Sequence, residues 1–464
     1  MTQDEMLVQI LRKEMDAGLF NYKIQGITVY KLVRRTLIEN YGRSIGLNVM
    51  APRQSFEKKT AVVNTISSLW QLLKLRLSGK TASTVFISFP RIDKVGAYYL
   101  DKFVDPLVSS CFEDSGDYII LDQGRGGYHA KPRLHQDHCI QTEWYIVDGS
   151  LYAKLFHKKF YKSNKECLDA LYESLVSVFG ASCPNKKVLL VLICTYFRRV
   201  YCYEKLFRRM KVKRILGPAR DFLRAGIIAA HRVGIASFEL QHGITYGETL
   251  MYSGFHPNET MPDYFLAFGD NDPIDVYGIE PERIVNIGWA LNDYMASNKD
   301  FIQYNTQDVL VISEPKITDN IISLTLLLAK DNPQSHFYVR PHPHEEISES
   351  QKSRLESLPN AHWQDKRINI AMVMQGFTHV VGENSTVLYE ALAAGKKVGK
   401  LYYEGLRPRY LKEDDRNCFW EIKDQESFAR FIQEDISTKN TKSIYSPFNK
   451  ALFLQTIGMN NNNI

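Results

Sequence analysis

At 464 residues the chain is too long for one ordinary domain. Its 44% hydrophobic and 24% charged content excludes a disordered chain and a membrane-embedded body, and a net charge of +6 is modest for this size. No apolar run approaches the ~20 residues of a spanning helix, and the opening MTQDEMLVQILRKEMD lacks a signal-peptide layout, so a cytoplasmic protein is expected.

Seven cysteines without paired short spacing argue against a disulfide frame or a zinc ribbon and suit a reducing compartment. Residues 1–80 carry apolar residues at helical spacing in MLVQILRKEMDAGLF, VYKLVRRTLIENY and TISSLWQLLKLRL, which predicts an N-terminal helical extension. Strands are then expected in TVFISF, YIILDQ and KVLLVLICTY (187–196). Further on, helix and strand alternate through ARDFLRAGIIAAHRVG, IASFELQ, DYFLAFG and RIVNIGW, a pattern that implies a parallel sheet with crossover helices over 81–291. The polar stretch 292–307 is the expected linker. Alternation restarts at DVLVIS and defines a second α/β unit over 308–440, followed by a C-terminal tail, 441–464, whose GMNNNNI end is expected to fray. The fold class is therefore α/β, with two facing units that bind ligands beyond the carboxyl ends of their strands.

The segment Phe197 to Arg214 holds eight Lys or Arg against one Glu. Two readings fit it: contact with an anionic partner such as lipid head groups at the inner membrane face, or a solvated helix whose aromatics pack inward. No RNP, KH or zinc-knuckle pattern accompanies it, so nucleic acid is not expected.

Three strand ends are unusually polar. The first is ELQHGITYG, where Gln241, His242 and Gly243 close a strand and Tyr246 follows. In the second, YVRPHPHEE, prolines stiffen a loop bearing Arg340, His342, Pro343 and His344. The third is VVGENSTVLYEALAAGKKV, in which Glu383 and Asn384 lead into Ser385 and Thr386 at the start of a helix. Free N–H groups, the helix dipole and two hydroxyls there suit a phosphate, and Glu390, just over one turn on, is spaced to accept from ribose hydroxyls. The competing reading is that Asn384 or Ser385 only caps the helix.

Other motifs carry less. LSGKTAST lacks the first glycine of a P-loop. GDNDPID (269–275) reads as a helix start, and His129, His135 and His138 have no common zinc spacing, so no metal site is expected.

The combination of LQHG, RPHP and GENSTVLYEALAAGKKV resembles bacterial surface-polysaccharide glycosyltransferases of GT-B architecture, the capsule and lipopolysaccharide group related to CDP-glycerol glycerophosphotransferases and HP-motif sialyl- and Kdo-transferases. The resemblance covers about residues 210–405. It implies two Rossmann-like domains, a nucleotide-sugar donor as substrate with no separate cofactor, and a glycan or lipid-linked glycan acceptor at the cytoplasmic membrane face. By similarity, Arg340, His342 and Pro343 would meet the donor phosphate with His344 beside them. Glu383, Asn384, Ser385 and Thr386 would complete the phosphate site, and Glu390 would take the ribose. His242 would face the acceptor with Gln241, Gly243 and Tyr246. His242 is the expected base, with Asp93 and Asp122 as rivals because each follows an early strand. The glycerophosphotransferases usually show a DYSS-like sequence in place of GENST, which favours a sugar donor. A polyol-phosphate transferase, a nucleotide-sugar epimerase and a non-catalytic glycan-assembly protein remain the alternatives.

Overall fold

The computed structural model describes residues 3–47, 58–90, 92–124, 128–243, 249–269, 278–297, 302–315, 317–343, 345–410, 413–435 and 445–459. In chain order, the N-terminal region contributes α1 (Gln3–Asp16), a small ribbon of β1 (Lys23–Ile24) and β2 (Ile27–Thr28), α2 (Val29–Ser44) and α3 (Lys58–Leu77). The first lobe follows with β3 (Thr84–Ile87), the hairpin β4 (Ile92–Val95) and β5 (Tyr98–Asp101), α4 (Asp105–Cys111), β6 (Tyr118–Asp122) and β7 (Cys139–Gln141). Three helices, α5 (Glu143–Ser163), α6 (Lys165–Phe179) and α7 (Lys186–Met210), intervene before β8 (Arg214–Pro218), α8 (Arg220–Val233), β9 (Ala236–Leu240), β10 (Tyr264–Ala267) and β11 (Ile284–Asn286). The second lobe runs from α9 (Ala290–Ser297) through β12 (Val309–Ile312), α10 (Thr318–Asp331), β13 (Phe337–Arg340), α11 (Glu349–Leu355), β14 (Ala361–Trp363), α12 (Ile370–Gln375), β15 (His379–Gly382), α13 (Thr386–Ala393), β16 (Lys397–Leu401), β17 (Trp420–Ile422) and α14 (Gln425–Gln433). A last helix, α15 (Lys450–Thr456), closes the described chain.

The seven-stranded sheet has the order β11-β10-β9-β8-β3-β6-β7 and the six-stranded sheet β14-β13-β12-β15-β16-β17, with every neighbouring pair parallel. Counted from its own first strand, each sheet reads 3-2-1-4-5-6, the Rossmann order, with the seventh strand of the N-lobe added at one edge. The central strands are buried on both faces, which is why they read as mostly Val, Ile, Leu and Phe without polar alternation. Two such sheets facing across a cleft make the GT-B architecture.

One expectation needs correction, and two segments pack more closely than their composition suggests. The apolar run 187–196 is helix, not strand: Asn185 caps it by accepting from the Val188 N–H at 3.0 Å, and Leu189, Leu190, Ile193 and Cys194 bury one helical face. Continuous short apolar runs do not distinguish the two periods. The expected linker is firm at both ends. Its start is α9, and further on Tyr304 stacks on Phe377 at 3.8 Å between ring centroids. Of the expected tail, residues 445–459 are folded against the first lobe: Trp289 N–H donates to Ser446 O, Asn449 N–H to Ile287 O, and Phe453 and Leu454 are buried. Gly288, at φ +73°, admits this approach, since a Cβ there would lie 2.0 Å from Pro447 O.

The helical extension packs onto the first lobe. Its α1 and α2 share a core with α6 and α7, and a buried Arg34–Glu14 pair at 2.8 Å fixes α2 to α1. A larger apolar cluster runs from Phe86, Phe103 and Leu266 in the N-lobe to Leu310, Leu388 and Val398 in the C-lobe, so the lobes are joined by packing as well as by chain.

Candidate functional site

In a Rossmann sheet the crevice opens where strand order reverses, here between β12 and β15 in the C-lobe and between β3 and β8 in the N-lobe. β12 is followed by Ser313 and Glu314, β15 by Glu383, Asn384 and Ser385. Gly382 is needed here, because a Cβ would press 3.2 Å from Ile312 Cβ and hold the strands and α13 apart. Arg340 pairs in register with Ile312, and Val311 with Val381. Arg340 and Gly382 thus flank the same central strand, roughly two strand spacings or about 10 Å apart.

The side chains divide into those tied to the scaffold and those left for a ligand. Arg340 is tied: its guanidinium donates to the carbonyls of Asp365, Lys366 and Ile368 and so clamps the loop after β14. Burial lowers its pKa to about 10, against the raising effects of Asp365 and, from the opposite lobe, Asp93. In this arrangement the guanidinium is engaged with the 365–368 loop, so its structural work is what the geometry displays. Asp93 sits on the N-lobe hairpin facing that clamp. His342 is part-exposed, and its loop is a tight turn: His342 N–H donates to Glu345 Oε2 at 2.8 Å, and Glu345 N–H returns to His342 O. Glu345 also accepts from Ser313 at 2.9 Å and from Thr318, binding the loop to the head of β12. Pro343 is exposed, and His344 lies outside the described residues.

At the third motif Ser385 is the N-cap of α13, accepting from Val387 N–H at 3.3 Å, with Thr386 as the first helical residue. Asn384 braces another loop: its Nδ2 donates to Arg407 O at 3.1 Å and its Oδ1 accepts from Arg409 N–H at 2.6 Å. Glu383 accepts from Arg407 N–H at 2.5 Å. The loop so held, GLRPRY, presents Arg407 and Arg409 as exposed cations with no ion-pair partner among the described residues. Beneath it the fully buried Lys400 donates to Arg409 O, and burial lowers its pKa to about 8. Glu390 is not open to a ribose as the side chains stand. It is buried and paired at 3.2 Å with Lys102 of the opposite lobe. Glu314 is the more available carboxyl. Its Oε1 is buried without a hydrogen bond among the described residues, and burial followed by Glu383 raises its pKa.

On the N-lobe, His242 follows β9. Its Nδ1 lies 3.2 Å from Tyr252 Oη, and Tyr252 Oη donates to Glu239 Oε1 at 3.2 Å. Glu239 is buried and receives the Arg220 backbone N–H at 2.8 Å and Nε–H at 2.7 Å. Because Tyr252 spends its proton on Glu239, it accepts from His242, which puts the imidazole proton on Nδ1 and leaves Nε2 as the basic nitrogen. The residue before Arg220, Ala219, holds φ +62° at the head of β8, a conformation that costs an alanine about 1 kcal/mol and points the start of α8 at the switch point. The His242 ring borders Phe89 and Phe103, and the neighbour of Phe103 is Lys102, which reaches Glu390. The imidazole is therefore on the interlobe side. Asp101 fixes the turn that carries Lys102 and Phe103 by accepting from Phe89 and Phe103 N–H groups at 2.7 and 2.9 Å.

Gln241 is a brace, accepting from Phe268 N–H at 2.7 Å and donating to Gly243 O at 3.2 Å. Tyr246 lies outside the described residues. Asp122, the rival base, is fully engaged by its own lobe: its oxygens take hydrogen bonds from Ser88 at 2.9 Å, His129 at 2.5 Å and Arg133 at 2.5 Å. Burial alone would raise its pKa, but His129 and Arg133 outweigh that and bring it to about 2. His129 bridges Asp122 and Glu143, two acceptors, so both ring nitrogens carry protons. Burial opposes this charge, yet the two carboxylates raise the pKa to about 9. Among the described residues no group of three or more His, Cys, Asp or Glu could hold a metal ion.

Sequence reasoning missed Lys102, Tyr252, Glu314, Arg407 and Arg409. The one signal present was a pair of arginines flanking proline in GLRPRY just after a strand.

The two facing Rossmann sheets define a GT-B chain. No family model and no curated protein matches the sequence. Solved structures with a similar outline include a UDP-GlcNAc 2-epimerase from Neisseria meningitidis bound to UDP-GlcNAc (14% identity, 81% of this chain and 98% of that one, TM-score 0.49). Others are the epimerase from Methanocaldococcus jannaschii (11%, 78% and 97%, TM-score 0.43) and the glycosyltransferase SnogD from Streptomyces nogalater (11%, 82% and 96%, TM-score 0.39). Likeness at this level assigns no chemistry to this chain.

Proposed function

We propose that the protein is a glycosyltransferase that moves a sugar from a nucleotide-sugar donor to the acceptor end of a growing bacterial surface polysaccharide. The observation that carries this reading is the oriented imidazole of His242, set on the interlobe side opposite a C-lobe crevice of nucleotide-binding topology. In that crevice the amino end of α13 and the exposed Arg407 and Arg409 receive the diphosphate, while Glu314 takes a hydroxyl of the donor. As the bond between sugar and phosphate breaks, negative charge grows on the leaving oxygen, where these groups stabilise it. His242 Nε2 removes the proton from the attacking acceptor hydroxyl.

Thermal-shift titration with UDP, GDP, CDP and CMP tests the donor site, since a ligand of the folded state raises the melting temperature by mass action. A nucleotide that stabilises the wild type but not Arg407→Ala supports the assignment. Release of CMP with a phosphodiester product would instead identify a polyol-phosphate transferase, and conversion of a nucleotide sugar without acceptor would identify an epimerase.

A further inference from the structure

We propose that α3, α5 and α7 form a face that docks on an anionic lipid bilayer. The face exists because α3 is held by its other side: it covers β7, the edge strand of the N-lobe sheet, through Ser68 Oγ donating to Gln141 O at 2.7 Å and Gln71 Oε1 accepting from Gln141 N–H at 2.8 Å. Turned outward is a stripe at three- and four-residue spacing, Val63, Ile66, Trp70, Leu73 and Leu77, all exposed, Trp70 at 61% and Leu77 at 84%. Neighbouring α5 adds Leu151, Leu155 and Phe156, with Leu155 75% exposed. A contiguous patch of this kind marks an interaction surface, not ordinary scatter.

Between α3 and α7 lies a groove of about 650 Å³, whose buried lining residues are Leu75, Tyr145 and Leu206. Four cations, Arg76, Arg198, Lys205 and Arg209, stand among its lining residues. Together the three helices carry 15 Lys and Arg against three Asp and Glu, an excess of twelve where the whole chain has six. The remainder of the protein is thus net negative, and an anionic surface would orient the molecule with this face towards it. Charge also selects the occupant. A second copy packed through the same patch would set two equally cationic faces together, whereas phosphate head groups with acyl chains beneath match both the rim and the apolar stripe. The inference concerns where the protein works and is independent of the chemistry proposed above.

The test uses the full chain with vesicles of phosphatidylcholine alone and of phosphatidylcholine mixed with phosphatidylglycerol, read by co-sedimentation and by tryptophan emission, with a Trp70→Phe control. Binding to the mixed vesicles only, weakened by salt, with a blue shift that the control lacks, is expected. Arg76→Gln, Lys205→Gln and Arg209→Gln should each lower partitioning about fivefold. Leu77→Ser should weaken it with the melting temperature unchanged, since all these side chains are solvent-facing. Equal binding to both vesicle types, or to neither, would overturn the proposal. So would a lipid-free dimer broken by Trp70→Ser, or nucleic-acid binding sensitive to the same substitutions when vesicles are ignored.

Discussion

A histidine ring can serve as base, acid or packing element, and at His242 the choice is made two residues away in space. Glu239, pinned by Arg220, accepts the hydrogen bond of the Tyr252 hydroxyl, and Tyr252 in turn fixes the imidazole tautomer. His242→Ala should reduce kcat by a hundredfold or more while the nucleotide Kd stays level. Tyr252→Phe keeps the ring packing but frees the tautomer, so kcat should fall about tenfold and its pH profile should shift, with unchanged nucleotide affinity by calorimetry. Arg340→Ala belongs to a different class. Three carbonyls lose their donor at once, and the melting temperature should drop, with about 3 kcal/mol of stability lost. A wild-type melting temperature with weakened nucleotide binding would restore the phosphate role to that guanidinium. His129 gives a pH signature. Its pKa rises from 6.5 to about 9 on folding, so its contribution is complete below about 6.5 and fades as pH climbs through 9. The stability difference between wild type and His129→Gln, measured by denaturant titration, should shrink across that window.

Elements were more legible than contacts. Each polar strand end marked in the sequence does fall at the carboxyl edge of a parallel sheet, because strand period, glycine and a following helix are local signals. What a side chain does once there is not local. Arg340 and Asn384 look alike as polar residues after a strand, yet they are spent on loops 25 and about as many residues further on, 365–368 and 407–409. The run 187–196 resembles a strand because its apolar residues are nearly continuous, and only the Asn185 cap and the length of α7 decide for helix. The GLRPRY loop owes its position to Glu383 and Asn384. Asn384→Ala should therefore loosen it and raise the nucleotide Kd several-fold without touching kcat, and added mobility at 405–410 should show as faster amide exchange.

At the scale of the whole molecule the lobes meet, among the described residues, through a shared apolar cluster and an ion pair, Lys102 with Glu390, whose side chains are 16% and 8% exposed. Removing one partner strands the other in a low-dielectric setting, so Lys102→Met should cost about 3 kcal/mol and the double variant with Glu390→Gln should recover most of it. Additive losses in that double-mutant cycle would show that the pair does not couple the lobes. Neither partner could be matched from sequence, since 288 residues separate them.

The chain passes between the lobes twice, once at α9 and again before residues 445–459 return to lie against Trp289 and Ile287. The returning segment binds the first lobe through backbone hydrogen bonds to Trp289 and Ile287. It also sets an order on biosynthesis: the N-lobe emerges first from the ribosome, yet part of its packing waits for a segment translated after the entire C-lobe. The two halves are therefore expected to mature together, and an N-lobe expressed alone would expose the surface that this returning segment covers.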